Sequence, residues 1–240
     1  MLILLPDVRI GFCMAHVHPS SHPLAIGRAR WLTHLVLLLL SGFAYWLGTR
    51  YVPRGAFSYV ATLAFGYWSL LLVAVTLVIG PLRLFMHGRL RRNPVNDNLR
   101  RDVGIWAGIT ALLHVLFGLQ QRFGGDIIRF FFYHDANGWH LLTNTFGIAN
   151  HVGLLATLLI IALLVTSNTL SLRNLKGPRW KALQRFNYGL FAFAVLHTVL
   201  YQSISGREGM FADAVIWGTL ATVVVHFVGL SLVRARRREV

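Results

Sequence analysis

The sequence predicts an all-α fold, a polytopic membrane protein built as a six-transmembrane-helix bundle, and three observations predict it. Six apolar blocks, near 31–48, 57–80, 103–121, 146–167, 186–205 and 214–233, are long enough as helices to cross about 30 Å of hydrocarbon. None of the six contains Asp, Glu, Lys or Arg, although these residues make up 13% of the 240-residue chain. The 23 Lys and Arg residues also divide 18 to 5 between alternate sides of the blocks. A β-barrel is excluded, because its strands would run about 10 residues with alternating polarity.

Each element follows in order. Residues 1–29 are expected to be a disordered cytoplasmic lead-in, since MLILLPDV is too short and too soon interrupted by Asp7 to be a secretion signal. The run His16-Val-His18-Pro-Ser-Ser-His22 could bind a metal, and the plainer reading is a polar lead-in. Cys13, the lone cysteine, excludes an intrachain disulfide and a Cys-ligated cluster. The transmembrane domain is expected over 30–233, with Trp31, Trp46, Trp106 and Trp217 at helix ends where interfacial aromatic belts form. Pro53 marks a short turn between blocks one and two. The Arg-rich stretch 81–102, with Asn93-Pro94, reads as a loop. The connection 122–145 carries Phe130, Phe131, Phe132, Tyr133 and Trp139 and is expected to lie partly on the membrane surface. In 168–185, Gly177-Pro178 is expected to break the chain before block five. Residues 234–240 form a basic tail. Gly104 and Gly108 have the small-xxx-small spacing of close helix packing.

The net charge of +15 invites a nucleic-acid reading, and the placement of the charges argues against it. The richer side holds Arg9, Arg28, Arg30, the arginines between 83 and 101, the basic residues of 173–185 and those of the tail. The poorer side holds Arg50, Arg54, Arg122, Arg129 and Arg207. The positive-inside rule then puts both termini in the cytoplasm of a cell with an inner (plasma) membrane. The main partner of this charge is anionic lipid, not nucleic acid.

Five histidines are the only side chains in the blocks that titrate near neutrality: His34, His114, His151, His197 and His226. His114 follows Arg101 by 13 residues and His197 follows Arg185 by 12. At about 1.5 Å per residue both imidazoles sit roughly 18–20 Å deep. Ionisable groups at that depth are costly and usually functional. Two neutral imidazoles at one level, on helices running the same way, suit one metal, and in a bilayer the expected metal is haem iron. The rival reading is a pair of core histidines hydrogen-bonded between helices. Thr110, one turn before His114, is a candidate local partner. His151, near the outer end of block four, is read either as a ligand or propionate contact or as an interfacial polar residue. His34 and His226 belong to the inner leaflet. They could hold a second haem, and helix–helix contacts are the plainer reading.

Three segments carry a family resemblance: RRDVGIWAGITALLHV, NTFGIANHVGLLATLLIIALLVTSNTLS and LKGPRWKALQRFNYGLFAFAVLHTVLY. Together they resemble the ferric-reductase-like transmembrane domain, and within it the haem-bearing membrane subunits of periplasmic methionine-sulfoxide reductase systems. The similarity spans residues 30–232. It implies six helices carrying electrons outward through b-type haem, with His114 and His197 as axial ligands. Two-haem relatives carry further histidines where this chain has Gln184 and Arg100 or Arg101. One haem b is therefore expected. Arg122, Arg129 and Arg207 on the outer side are candidate contacts for its propionates.

The functional expectation is a membrane electron relay. No glycine-rich dinucleotide fingerprint occurs, so the donor is expected to be separate, a cytoplasmic flavin reductase or a membrane quinol, and flavin or quinone would enter that way. The expected acceptor is a periplasmic oxidoreductase or ferric iron. The alternative is a cofactor-free transporter or assembly partner with structural histidines. A transporter should show internal repeats and broken helices, and neither is visible.

Overall fold

The computed structural model describes residues 28–52, 55–87, 94–206 and 209–238. The expectations for the lead-in before residue 28, including Cys13 and the His16–His22 run, and for Arg207, lie outside the described residues. Seven helices are present among the described residues: α1 (Arg28–Tyr51), α2 (Phe57–His87), α3 (Pro94–Leu119), α4 (Thr145–Val165), α5 (Thr169–Gln184), α6 (Asn187–Ser205) and α7 (Met210–Arg238). Five of them, α1 to α4 and α7, are long and apolar enough to cross a membrane. The sixth expected span is α6, whose 19 residues include polar side chains that serve its neighbours. Asn187 donates to Thr76 Oγ1 of α2, and Gln202 donates to Tyr67 Oη of α2 and to Phe211 O of α7. Its lower apolarity is thus spent inside the bundle, where such bonds join helices.

The molecule is a multi-pass membrane protein, with its polarity turned accordingly. Trp31, Leu39 and Phe227 are each more than 60% exposed on helix exteriors, where acyl chains replace water. Thr76, Thr110, Asn150, Gln202 and Thr222 are buried within. Helix α2 packs against α1, α3, α6 and α7, while α4 packs mainly on α6 and also on α3. Leu72, Val73, Leu77, Val103, Ala107, Ile160, Leu163, Leu190 and Phe191 form the apolar core between α2, α3, α4 and α6. Of the two spaced glycines, Gly108 lies against Leu164 of α4, where an added Cβ would stand 3.1 Å from a leucine methyl.

Three connections differ from expectation. Much of 81–102 is helical, because α2 continues through Pro81 to His87 and α3 opens at Pro94. Proline is suited to a first helical position, where no N–H is needed, so Pro94 opens a helix where a loop was expected, while Asn93 lies outside the described residues. Gly177-Pro178 does not break the chain either. Helix α5 runs through it, nucleated by Asn168, whose side chain accepts from Ser171 N at 2.7 Å. Trp180 Nε1 donates to Thr166 O at 3.0 Å and ties α5 back to the end of α4. The 122–145 connection forms two 3-10 turns and a hairpin of β1 (Phe132–Asp135) and β2 (Gly138–Leu141). Register pairs Phe132 with Leu141 and His134 with Trp139 on one face, and Tyr133 with His140 on the other. One face is therefore largely apolar and the other polar, which the alternation of a strand pair dictates.

Candidate functional site

His114 and His197 meet. Their ring centroids are 6.0 Å apart and their planes cross at 89°. Each ring is anchored on a helix other than its own. His114 Nδ1, from α3, lies 2.7 Å from Thr62 O of α2, and His197 Nδ1, from α6, lies 2.8 Å from Ala149 O of α4. A carbonyl only accepts, so each neutral imidazole carries its proton on Nδ1 and keeps an unprotonated Nε2. Thr110, the expected partner of His114, turns instead to its own helix and donates to Trp106 O at 2.8 Å.

Both imidazoles line a cavity of about 450 Å³ enclosed mainly by α2, α3, α4 and α6, with Phe130 and Phe131 of the 122–145 connection over it. Its walls are largely apolar, including Leu70, Val73, Ile160 and Leu190. Polar groups gather toward the end that the 122–145 connection covers. The Tyr201 ring lies 4.9 Å from that of His197, and its hydroxyl donates to Asn150 Oδ1 at 2.6 Å. Asn150 in turn donates to Phe130 O at 3.0 Å, which fastens the roof to α4. Arg122 lines the same cavity, its guanidinium 5.0 Å from the centre of the Phe146 ring.

The other sequence candidates fall elsewhere. Arg129 is 63% exposed, does not line the cavity, and pairs with Asp126 at 3.3 Å. His151 is not among the lining residues. Its Nδ1 contacts Gly147 O one turn back, its ring meets Phe131, and its Nε2 is buried without a hydrogen-bond partner. His34 accepts from Trp106 Nε1 at 3.0 Å, with its Nε2 3.7 Å from Asp102. His226 meets the Tyr188 ring of α6 edge-on, with Nδ1 buried and without a hydrogen-bond partner. Gln184 closes α5, and its Nε2, like Arg101 Nε, is buried without a hydrogen-bond partner.

Sequence reasoning overlooked the seats behind the two rings and the Tyr201–Asn150 pair. Gly66 stands one turn after Thr62, and Gly153 one turn after Ala149. A Cβ at Gly66 would lie 2.7 Å from His114 Nδ1, and one at Gly153 would lie 2.6 Å from His197 Nδ1. The only signal in the chain is a small residue four before each glycine, which does not say what packs there.

The pair passes a geometric test for sharing a metal. A metal bonded at about 2.0 Å to one nitrogen of each of two imidazoles on opposite sides holds the ring centres roughly 6 Å apart. The apolar cavity volume lies within the range of about 300–1,000 Å³ usual for cofactor sites. Among the described residues no cluster of three or more His, Cys, Asp or Glu side chains offers a metal a richer set of donors.

No protein-family model matches the chain, so kinship with the ferric-reductase-like domain remains a resemblance. Individual proteins do match. The chain is 32% identical over 173 residues to the protein-methionine-sulfoxide reductase heme-binding subunit MsrQ of Bordetella pertussis, covering 72% of this chain and 76% of that one. It is 33% identical over 191 residues to the same subunit of Rhodospirillum rubrum, with 75% and 81% covered. For the subunit of Rhizobium meliloti the identity is 29% over 186 residues, with 77% of each chain covered.

Proposed function

The chain belongs to the MsrQ family of protein-methionine-sulfoxide reductase heme-binding subunits, and from that premise we propose that it is a membrane cytochrome. In this reading it holds one b-type haem between His114 and His197 and passes electrons to a methionine-sulfoxide reductase on the outer face. The observation that carries the reading is the pair of imidazoles whose ring centres lie 6.0 Å apart over a shared apolar cavity. When bound, the haem supplies reversible one-electron chemistry at its iron.

The chain's own residues do the rest. His114 and His197 present Nε2 lone pairs in tautomers fixed by Thr62 O and Ala149 O. Leu70, Val73, Ile160 and Leu190 keep water from the slot, which lowers the local dielectric and tunes the potential. Arg122, at the outer end of the cavity, is placed for charge-assisted contact with a propionate, whereas Arg129 is already engaged by Asp126. The electron donor is a separate component at the inner face, a flavin reductase or a membrane quinol. The basic inner connections suit an anionic or acidic donor. The membrane is the inner (plasma) membrane, with both termini in the cytoplasm.

The test is the visible spectrum of the purified protein, reduced against oxidised, with a pyridine-haemochrome count. Sharp b-type bands and about one haem per chain are expected. A preparation that stays colourless after haem is supplied during expression overturns the reading, and a count near two overturns the single site.

A further inference from the structure

We propose that Gly66 and Gly153 are positioning residues that seat His114 and His197 with their ring planes crossed, and so set the electronic state of the iron the two rings share. The inference rests on the haem reading above and names what orients the ligands.

The two seats are built alike on different helices. On α2, Thr62 O accepts the Nδ1 hydrogen of His114 at 2.7 Å, and Gly66 follows one turn later. On α4, Ala149 O accepts the Nδ1 hydrogen of His197 at 2.8 Å, and Gly153 follows one turn later. In each seat the Nδ1–Cε1 edge of the ring occupies the space a side chain would fill. A Cβ at Gly66 would lie 2.7 and 3.0 Å from these two atoms of His114, and one at Gly153 would lie 2.6 and 2.7 Å from those of His197. Among the described helical glycines no other meets a histidine ring, and Gly42 and Gly218 have nothing within 4 Å of the same point. The carbonyl fixes where Nδ1 sits and which nitrogen is protonated. The missing side chain leaves the ring edge room to lie against the helix in this plane, room that a Cβ would take away. Acting together on both rings, the seats hold the planes 89° apart.

Crossed planes have an electronic consequence. Each imidazole donates π density into the iron d orbital that lies perpendicular to its own plane. Parallel rings act on one such orbital and split it from its partner, while crossed rings act on both and leave them nearly degenerate. A ferric ion between crossed rings therefore gives a single, strongly anisotropic low-spin resonance dominated by a large g value. Between parallel rings it gives a rhombic three-line signal.

The experiment uses the full chain purified with haem: wild type, Gly66→Ala, Gly153→Ala, and the control substitutions Gly42→Ala and Gly218→Ala. Ferric EPR, midpoint potential and thermal unfolding are recorded for each. The wild type is expected to show the large-g signal. Each seat variant should keep its helical content while its signal moves to rhombic or high-spin form, because the new methyl displaces the imidazole from its carbonyl. Haem affinity should fall about 10- to 100-fold, as when other groups that orient a metal-bound histidine are lost. The controls should overlay the wild type in every readout. A wild type with low-spin haem and a rhombic signal overturns the proposal while leaving the haem reading intact, and so do seat variants that both keep the wild-type signal. A wild type without haem overturns both. Should a seat variant fail to accumulate, the wild-type signal alone decides the crossed geometry.

Discussion

His197 is held from two sides, by Ala149 O at its Nδ1 and by the Tyr201 ring 4.9 Å away, so its loss and the loss of its support should read differently. Replacing His114 or His197 with Ala removes one of the two proposed ligand nitrogens without burying a charge. Either variant should insert and fold, since insertion depends on the apolar spans, yet lose the low-spin spectrum. His34→Ala, His151→Ala and His226→Ala should keep that spectrum, and a full low-spin spectrum in both His114→Ala and His197→Ala would sink the site. Tyr201→Phe keeps the ring against His197 and removes only the hydroxyl. Asn150, 8% exposed, then loses a donor to its Oδ1, at a cost of about 1–3 kcal/mol. Lowered thermal stability with an unchanged reduced spectrum is expected. An unchanged melting profile would show that the Tyr201–Asn150 bond carries no stability.

At the scale of elements, α1 is the least embedded span, with 11% of its apolar window buried. One part-buried ion pair helps dock it. Arg30 donates to both carboxylate oxygens of Asp102 on α3, at 3.1 and 2.6 Å, and Asp102 is 1% exposed. His34, from the same face of α1, links to Trp106 and approaches Asp102. Removing Arg30 leaves the buried Asp102 carboxylate without its main partner, at a cost of about 1–3 kcal/mol. Arg30→Ala should therefore destabilise the protein, and Arg30→Ala combined with Asp102→Ala should recover part of the loss. A double variant less stable than Arg30→Ala in detergent unfolding would refute the clamp.

Across the whole molecule, charge asymmetry rather than packing sets the expected orientation. With 18 of 23 basic residues on one side, both termini should face the cytoplasm. Reporter fusions after Val240 should be active only in a form that works inside the cell, and one in the 133–140 hairpin only in a form that works outside. A reporter after Val240 that is active outside would invert the bundle, and with it the direction of electron flow proposed above.

How much of this was legible in the sequence follows from what a bilayer does to a chain. A span must be apolar for a fixed length and rises about 1.5 Å per residue, so span positions and the depth of His114 and His197 are one-dimensional quantities that can be counted. Five spans meet that criterion in the structure. The shortfall of α6 has a physical reason, since Asn187, His197 and Gln202 spend its apolarity on contacts inside the bundle. Pro94 and Gly177-Pro178 misled because proline serves helix starts and glycine-proline can lie in helix interiors, and only neighbouring caps and contacts such as Trp180 with Thr166 O choose between them. Counting along the chain does not give rotation about a helix axis. A helix as uniformly apolar as α4 shows no face on which to read it, so which carbonyl and which glycine receive each imidazole was decided by the tertiary structure alone. The same holds for why Arg122 reaches the cavity and Arg129 does not, and for why Asp102, just outside an apolar block, becomes the most buried charge described. These are contacts between helices far apart in sequence, and they exist only once the helix faces have met.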